Sequence, residues 1–127
     1  MLAGLVILAW ITLARAETAR VWYVHDGDTF RLTTGERIRL AGIDTPEIQR
    51  GQARCAAEIE RGRQATRQVR AMIDGQAVGI ERVGRSYNRS VARVRLADGR
   101  DLSAELVRLG FARLWPRHAP KPDWCGS

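Results

Sequence analysis

From residue 20 onward the chain runs in short stretches in which apolar and polar side chains alternate. Residues 20–24, 29–33 and 37–41 alternate in this way, with breaks at His25-Asp26-Gly27-Asp28 and Thr34-Gly35-Glu36. A side-chain period of two places one strand face in a core and the other in water, and Asp and Gly supply turn geometry, so these stretches predict a meander. After a polar, Gly-containing loop the period changes. Cys55, Ile59, Gly62, Thr66, Val69 and Ile73 recur at spacings of four, three, four, three and four, which is one face of a helix ended by Asp74-Gly75. Residues 77–83 and 90–96 read as two further strands, with Asp98-Gly99 as a turn. A short helix over about residues 102–109 is capped by Asp101 and stopped by Gly110, residues 111–115 suit a strand stub, and the Pro-rich segment from residue 116 is expected to be irregular. Five short strands with one long and one short helix predict an α+β fold built on a small closed β-barrel, because closure leaves no strand edge exposed. Neither an internal repeat nor a low-complexity tract interrupts the pattern.

The first residues follow a different rule. Residues 2–13 form an apolar run followed by Ala14-Arg15-Ala16, a small-x-small pattern, with no Lys or Arg ahead of the run. Residues 1–16 are expected to be an export signal cleaved after Ala16, leaving a domain of residues 17–127 with its core over about 20–115 and a tail over 116–127. The competing reading is an uncleaved anchor, but spanning a bilayer takes about 20 apolar residues and this run is shorter. The expected location is therefore periplasmic or secreted, with no stable membrane association once the signal is removed. Two cysteines, Cys55 and Cys125, suit an oxidising compartment, and an even count permits one disulfide. The alternative is two unrelated thiols, one of them a small core residue.

At 127 residues the chain is one domain, and its charge of +7 comes from 21 Lys plus Arg against 14 Asp plus Glu. Lys121 is the single lysine, leaving 20 arginines. A surplus of that sign favours a polyanionic partner, although charge alone speaks to association and not to fold.

Three segments carry candidate chemistry: Asp26-Gly27-Asp28-Thr29, Arg39-Leu40-Ala41-Gly42-Ile43-Asp44-Thr45-Pro46-Glu47, and Tyr87-Asn88-Arg89. Each has a plain structural reading. Asp-Gly-Asp is a common turn, Asp-Thr-Pro-Glu can start a helix, and arginines in such a chain default to the surface. His25 precedes the Asp-Gly-Asp turn and is expected to be packed or exposed rather than catalytic. Trp22, Tyr23, Trp115 and Trp124 could stack on bases, with core packing or chain-end anchoring the stronger expectation.

In this order, over about residues 20–115, the three segments resemble the staphylococcal nuclease (thermonuclease) family. That resemblance implies an OB-fold barrel and Ca2+-dependent endonuclease hydrolysis of DNA and RNA to products ending in 3′-phosphate. It places Asp28 and Asp44, with the carbonyl of Thr45, as metal ligands. It places Glu47 as general base, Arg39 and Arg89 as phosphate-binding arginines, and Tyr87 as a nucleotide contact. Asn88 stands where the family commonly has Gly, and Asn tolerates the positive φ such a turn requires. The tyrosines that usually follow the Gly-x-Ala segment are absent after Gly110-Phe111-Ala112, and the family's long C-terminal helix has no counterpart.

The chemistry asks for these residue types independently. Calcium takes 6 to 8 oxygen ligands, so two carboxylates and a carbonyl leave room for water and a phosphate oxygen. The transition state of phosphodiester hydrolysis gathers negative charge, so cations placed around it lower the barrier, and arginine meets two phosphate oxygens at once while staying ionised. The expected substrates are DNA and RNA, single-stranded preferred, acted on by a monomer. The alternative is a non-catalytic OB-fold domain that binds nucleic acid, although such a domain has no need of an acid pair beside a polyanion.

Overall fold

In the computed structural model, residues 17–126 are described; the expected export signal over residues 1–16 lies outside the described residues. Five strands close a barrel: β1 (Glu17–Asp26), β2 (Thr29–Leu32), β3 (Arg37–Leu40), β5 (Ala77–Ser86) and β6 (Arg89–Arg95), in the order β1-β2-β3-β6-β5. Helix α1 (Ala56–Ile73) packs on β1, and α2 (Leu102–Arg108) packs beside β6. A two-stranded sheet of β4 (Ile43–Asp44) and β7 (Arg113–Leu114) lies outside the barrel. All barrel pairings are antiparallel except β3 with β6. That one parallel pairing joins residues 52 apart in the chain, as Arg39 with Val91, through a connection that includes α1. Among the described residues no helix is long and apolar enough to cross a membrane.

The core follows from the alternation. Phe30, Leu32, Ile38, Leu40, Ile80 and Val94 point into the barrel and are fully buried, joined by Val69 and Ile73 of α1 and Leu102 and Leu106 of α2. Strand β1 departs from strict alternation. Val21 and Val24 are both buried although three residues apart, because two residues of β1 face one of β2 between Val21↔Leu32 and Tyr23↔Arg31. This bulge turns both Trp22, 63% exposed, and Tyr23 outward, so neither packs in the core as expected. The ring of Tyr23 instead meets His25 edge-on and carries the Arg70 guanidinium over its face.

Helix α1 also differs from its sequence pattern at one turn. The buried face holds Gly62, Ala65, Thr66, Val69 and Ile73, but Glu58 is buried next to a half-buried Ile59. Its carboxylate is satisfied: Oε2 accepts the Glu47 N–H at 2.9 Å and Oε1 the Arg54 N–H at 3.1 Å. A buried acid with two backbone donors is tolerated where an unpaired one would not be. Cys55 caps the helix, its sulfur 3.4 Å from the Glu58 amide, and is bonded to Cys125 across 70 residues. Asp101 caps α2 through the Ala104 amide at 2.9 Å.

The hairpin between β5 and β6 is closed by two residues, Tyr87 and Asn88, with Ser86 paired to Arg89. A linkage this short needs positive φ, and it falls on Tyr87 at 57° rather than on Asn88. A tyrosine in the left-handed region carries backbone strain that glycine would not.

Candidate functional site

One end of the barrel opens into a cleft of about 480 Å³ that collects residues from four separate stretches of chain: Asp26 and Asp28, then Arg39, Asp44 and Glu47, then Tyr87 and Arg89, and finally Trp115 and Lys121. Strand register explains the assembly. Thr29 pairs with Arg39, which sets Asp28 beside Arg39, and Arg39 pairs with Val91, two residues beyond Arg89. Since Ile38, Leu40, Ser90 and Ala92 face inward, Arg39 and Arg89 leave the barrel on the same side. A larger hollow of about 790 Å³ beside Phe111 and Trp124 is lined by Arg61, Arg113, Gln64 and mostly apolar groups without a carboxylate, so it offers no comparable chemistry.

The Asp-Gly-Asp turn is a close contact as well as a turn. A Cβ at Gly27 would come within 2.9 Å of the Thr45 side chain, so glycine lets the turn lie against Thr45. The Thr45 N–H then donates to Asp28 Oδ2 at 3.3 Å, and the Thr29 hydroxyl donates to Asp28 Oδ1 at 3.1 Å. Arg39 is anchored by the carbonyls of Leu40 and Ile43, at 2.7 and 3.0 Å, and its Nη2 lies 3.5 Å from Asp28 Oδ2. Arg89 reaches the hydroxyls of Thr29 and Ser86 at 3.3 and 3.4 Å. Tyr87 stands at the rim, 93% exposed.

Asp44 is only 1% exposed, and both of its oxygens are engaged by the C-terminal tail. Lys121 Nζ lies 2.8 Å from Oδ1 and the indole Nε1 of Trp124 donates to Oδ2 at 2.8 Å. Lys121 also lies 3.7 Å from Glu47 Oε1. Lys121 is not marked as a site residue by the sequence, whose only hint is that it is the sole lysine of a chain with 20 arginines, whereas Trp124, expected to pack or anchor the chain end, is buried with its indole on Asp44. Glu58, whose carboxylate holds the Glu47 amide, is likewise missed, although an acid three residues into a helix after a cap is a recognisable signal.

Carboxylates outnumber nearby cations here, and the titration behaviour reflects it. Burial, then the charge of Asp28 and a hydrogen bond with it, push the Asp26 carboxyl up to about 8. Burial and the neighbouring Asp28 charge also raise Glu47, against the opposing pull of Lys121. The same donor set, Asp28, Asp44, Glu47 and the backbone beside them, is all oxygen and suits a hard cation by type. Among the described residues no three acidic or sulfur and imidazole side chains already converge as a cage, since the Asp28 and Asp44 oxygens turn to Arg39, Lys121 and Trp124. The residues therefore fit a hard divalent ion in chemistry, with Asp44 shared with the tail.

A closed five-stranded barrel with two helices, opening at one end into a cleft of acids and arginines, defines an OB-fold domain of the α+β class. The family model described as Staphylococcal nuclease homologue matches residues 37–123, more than half the chain, and the chain belongs to that family. The matched span runs from β3 into the tail and so includes Arg39, Asp44, Glu47, Arg89 and Lys121. No curated protein matches the sequence. Family membership points to nuclease-type chemistry on a nucleic acid.

Proposed function

We propose that this protein is an exported, Ca2+-dependent phosphodiester hydrolase that cleaves DNA and RNA internally and leaves 3′-phosphate ends. The observation that carries the reading is the convergence of Asp28, Arg39, Asp44, Glu47 and Arg89, from three distant segments, on one cleft. Water attacks phosphorus, Glu47 takes its proton, and the bond to the 5′-oxygen breaks as that oxygen takes a proton from solvent to become a hydroxyl, so the phosphate stays on the 3′ side. Burial and the Asp28 charge raise the Glu47 carboxyl from its ordinary value, which makes it a stronger base for that proton. Arg39 and Arg89 meet the phosphoryl oxygens as charge builds there, and Arg39 is already locked in place by two backbone carbonyls, so little ordering is left to the moment of reaction. Calcium, held by Asp28, Asp44 and the Thr45 carbonyl, would supply Lewis-acid polarisation and charge neutralisation. The exposed ring of Tyr87 at the rim suits stacking on an unpaired base, which supports single-stranded substrate. The proposed working form is a monomer.

Export rests on the Cys55–Cys125 disulfide, a bond that persists in oxidising compartments, together with the apolar run of residues 2–13. Mature material from a producing cell should begin at Glu17, and a chain still starting at Met1 refutes cleavage. A non-catalytic nucleic-acid-binding domain is the second reading, favoured by one observation: an ammonium already sits on Asp44. The deciding experiment incubates mature protein with a labelled single-stranded oligonucleotide and Ca2+. Cleavage to 3′-phosphate ends that stops in excess chelator supports hydrolysis; binding without cleavage supports the second reading, and cleavage that continues in chelator refutes the metal role.

A further inference from the structure

The tail after β7 is fastened at several points. The Trp115 amide donates to the Gly42 carbonyl at 2.8 Å, its indole Nε1 donates to the Ala119 carbonyl at 2.9 Å, and Cys125 is bonded to Cys55 at the start of α1. Between them Arg61 Nη1 donates to the Trp124 carbonyl at 3.0 Å, and the Arg113 guanidinium stacks over the Trp124 ring at 4.2 Å. Lys121 lies in the middle of this span with Pro120 and Pro122 on either side, so its backbone has little freedom. Its ammonium reaches Asp44 Oδ1 at 2.8 Å and lies near Glu47 and over the Trp115 ring. A chain that uses arginine at 20 of its 21 basic positions places its one lysine where a compact, spherical cation is needed. A guanidinium fork spreads its charge over a plane, whereas an ammonium concentrates it at a point, as a small metal ion does.

We propose that Lys121 is the resident counter-ion of the acid cluster and that a divalent cation must displace it from Asp44 to load. This deepens the nuclease reading and rests on its assignment of Asp44 to the metal. Two cations cannot share one carboxylate oxygen at contact distance without strong repulsion, so the tail sets the metal concentration at which the site fills. With its ammonium on Asp44, the cluster keeps a neutralising charge when no metal is present, which limits the repulsion among Asp28, Asp44 and Glu47.

Because the chain has a single lysine, the displacement can be watched at one atom. Mature protein carrying 13C-labelled lysine gives one side-chain signal, and saturating Ca2+ should move it from its ion-paired position to that of free lysine. Calorimetry should show Ca2+ binding at least tenfold tighter in Lys121→Met, a variant that keeps the stem and removes the charge. In chelator Lys121→Met should melt below the parent chain, and saturating Ca2+ should close that gap. A lysine signal that stays put through the titration, or equal Ca2+ affinity in the two proteins, overturns the proposal. Either result alongside normal calcium-dependent cleavage leaves the nuclease reading intact, whereas a displaced lysine in a protein that cuts no oligonucleotide leaves this inference standing and removes that reading.

Discussion

Gly62 sits in the middle of α1, where glycine costs about 1 kcal/mol relative to alanine, so Gly62→Ala should stabilise the helix if only propensity mattered. Its surroundings predict the reverse. A Cβ there would lie 2.6 Å from the Pro46 carbonyl oxygen, 2.9 Å from that of Glu47 and 2.8 Å from Ile48 Cγ2. Ordinary contact begins at 3.4 Å, so helix and loop would have to part by about 0.8 Å, and two of the three atoms are backbone that cannot rotate away. Overpacking of this kind costs about 1 to 3 kcal/mol, which offsets the gain in propensity at the low end and outweighs it above that. The displaced loop carries Glu47 and follows directly on Asp44, so a shift approaching 1 Å in the base should lower turnover about 100-fold. Urea unfolding of Gly62→Ala should show a net loss of up to about 2 kcal/mol, with steady-state cleavage of a labelled oligonucleotide reduced in step. A variant as stable as the parent, or more so, with full turnover would refute the claim that α1 positions the Glu47 loop by backbone contact.

Replacing Arg39 or Arg89 by lysine removes the planar fork while keeping the charge, and turnover should fall by about 100-fold or more in each; near-parental rates in both would contradict a bidentate role. Changing both Cys55 and Cys125 to alanine opens a 70-residue loop, and chain entropy sets the expected loss at up to about 4 kcal/mol in denaturant unfolding, so a loss below about 1 kcal/mol would show that the tail holds without its covalent tie. Glu36 is held down to about 2 by hydrogen bonds from Arg82, with a further one from Ser90, against its usual 4.5. Its folded value lies below the unfolded one, so the stabilisation is complete above pH 4.5 and is lost as pH falls from there towards 2. With screening at this partly exposed pair, the effect should be about 1 kcal/mol. The stability of Glu36→Gln should lack that component of the acid slope, and parallel curves for the two proteins would refute it.

Much of this molecule is written locally. Helix α1 follows from the spacing of Gly62, Thr66, Val69 and Ile73, the turns follow from Gly and Asp, and the inward faces of β2 and β3 follow from alternation at Phe30, Leu32, Ile38 and Leu40. Such features are legible because a period of two or of 3.6 is a property of neighbouring residues. The motifs around Asp28, Asp44 and Arg89 were legible for a related reason, since each is a short contiguous string. Local reading failed wherever one residue's environment is set by a remote partner. Alternation cannot foresee that the β1 bulge turns Trp22 and Tyr23 out together, or that Tyr87 rather than Asn88 takes the left-handed turn, because both depend on strand register. Glu58 looks like a surface acid until the Glu47 and Arg54 amides are placed against it.

The sequence by itself determined the barrel strands, the two helices and the kinds of side chain available for chemistry on a polyanion. Tertiary structure alone decided that β3 and β6 lie parallel, which sets Arg39 and Arg89 on one side, and that the tail returns across 77 residues to put Lys121 on Asp44. The physical reason is range. Backbone geometry and side-chain period act over a few residues, whereas a charge finds its counter-ion through whatever path the packed chain makes short.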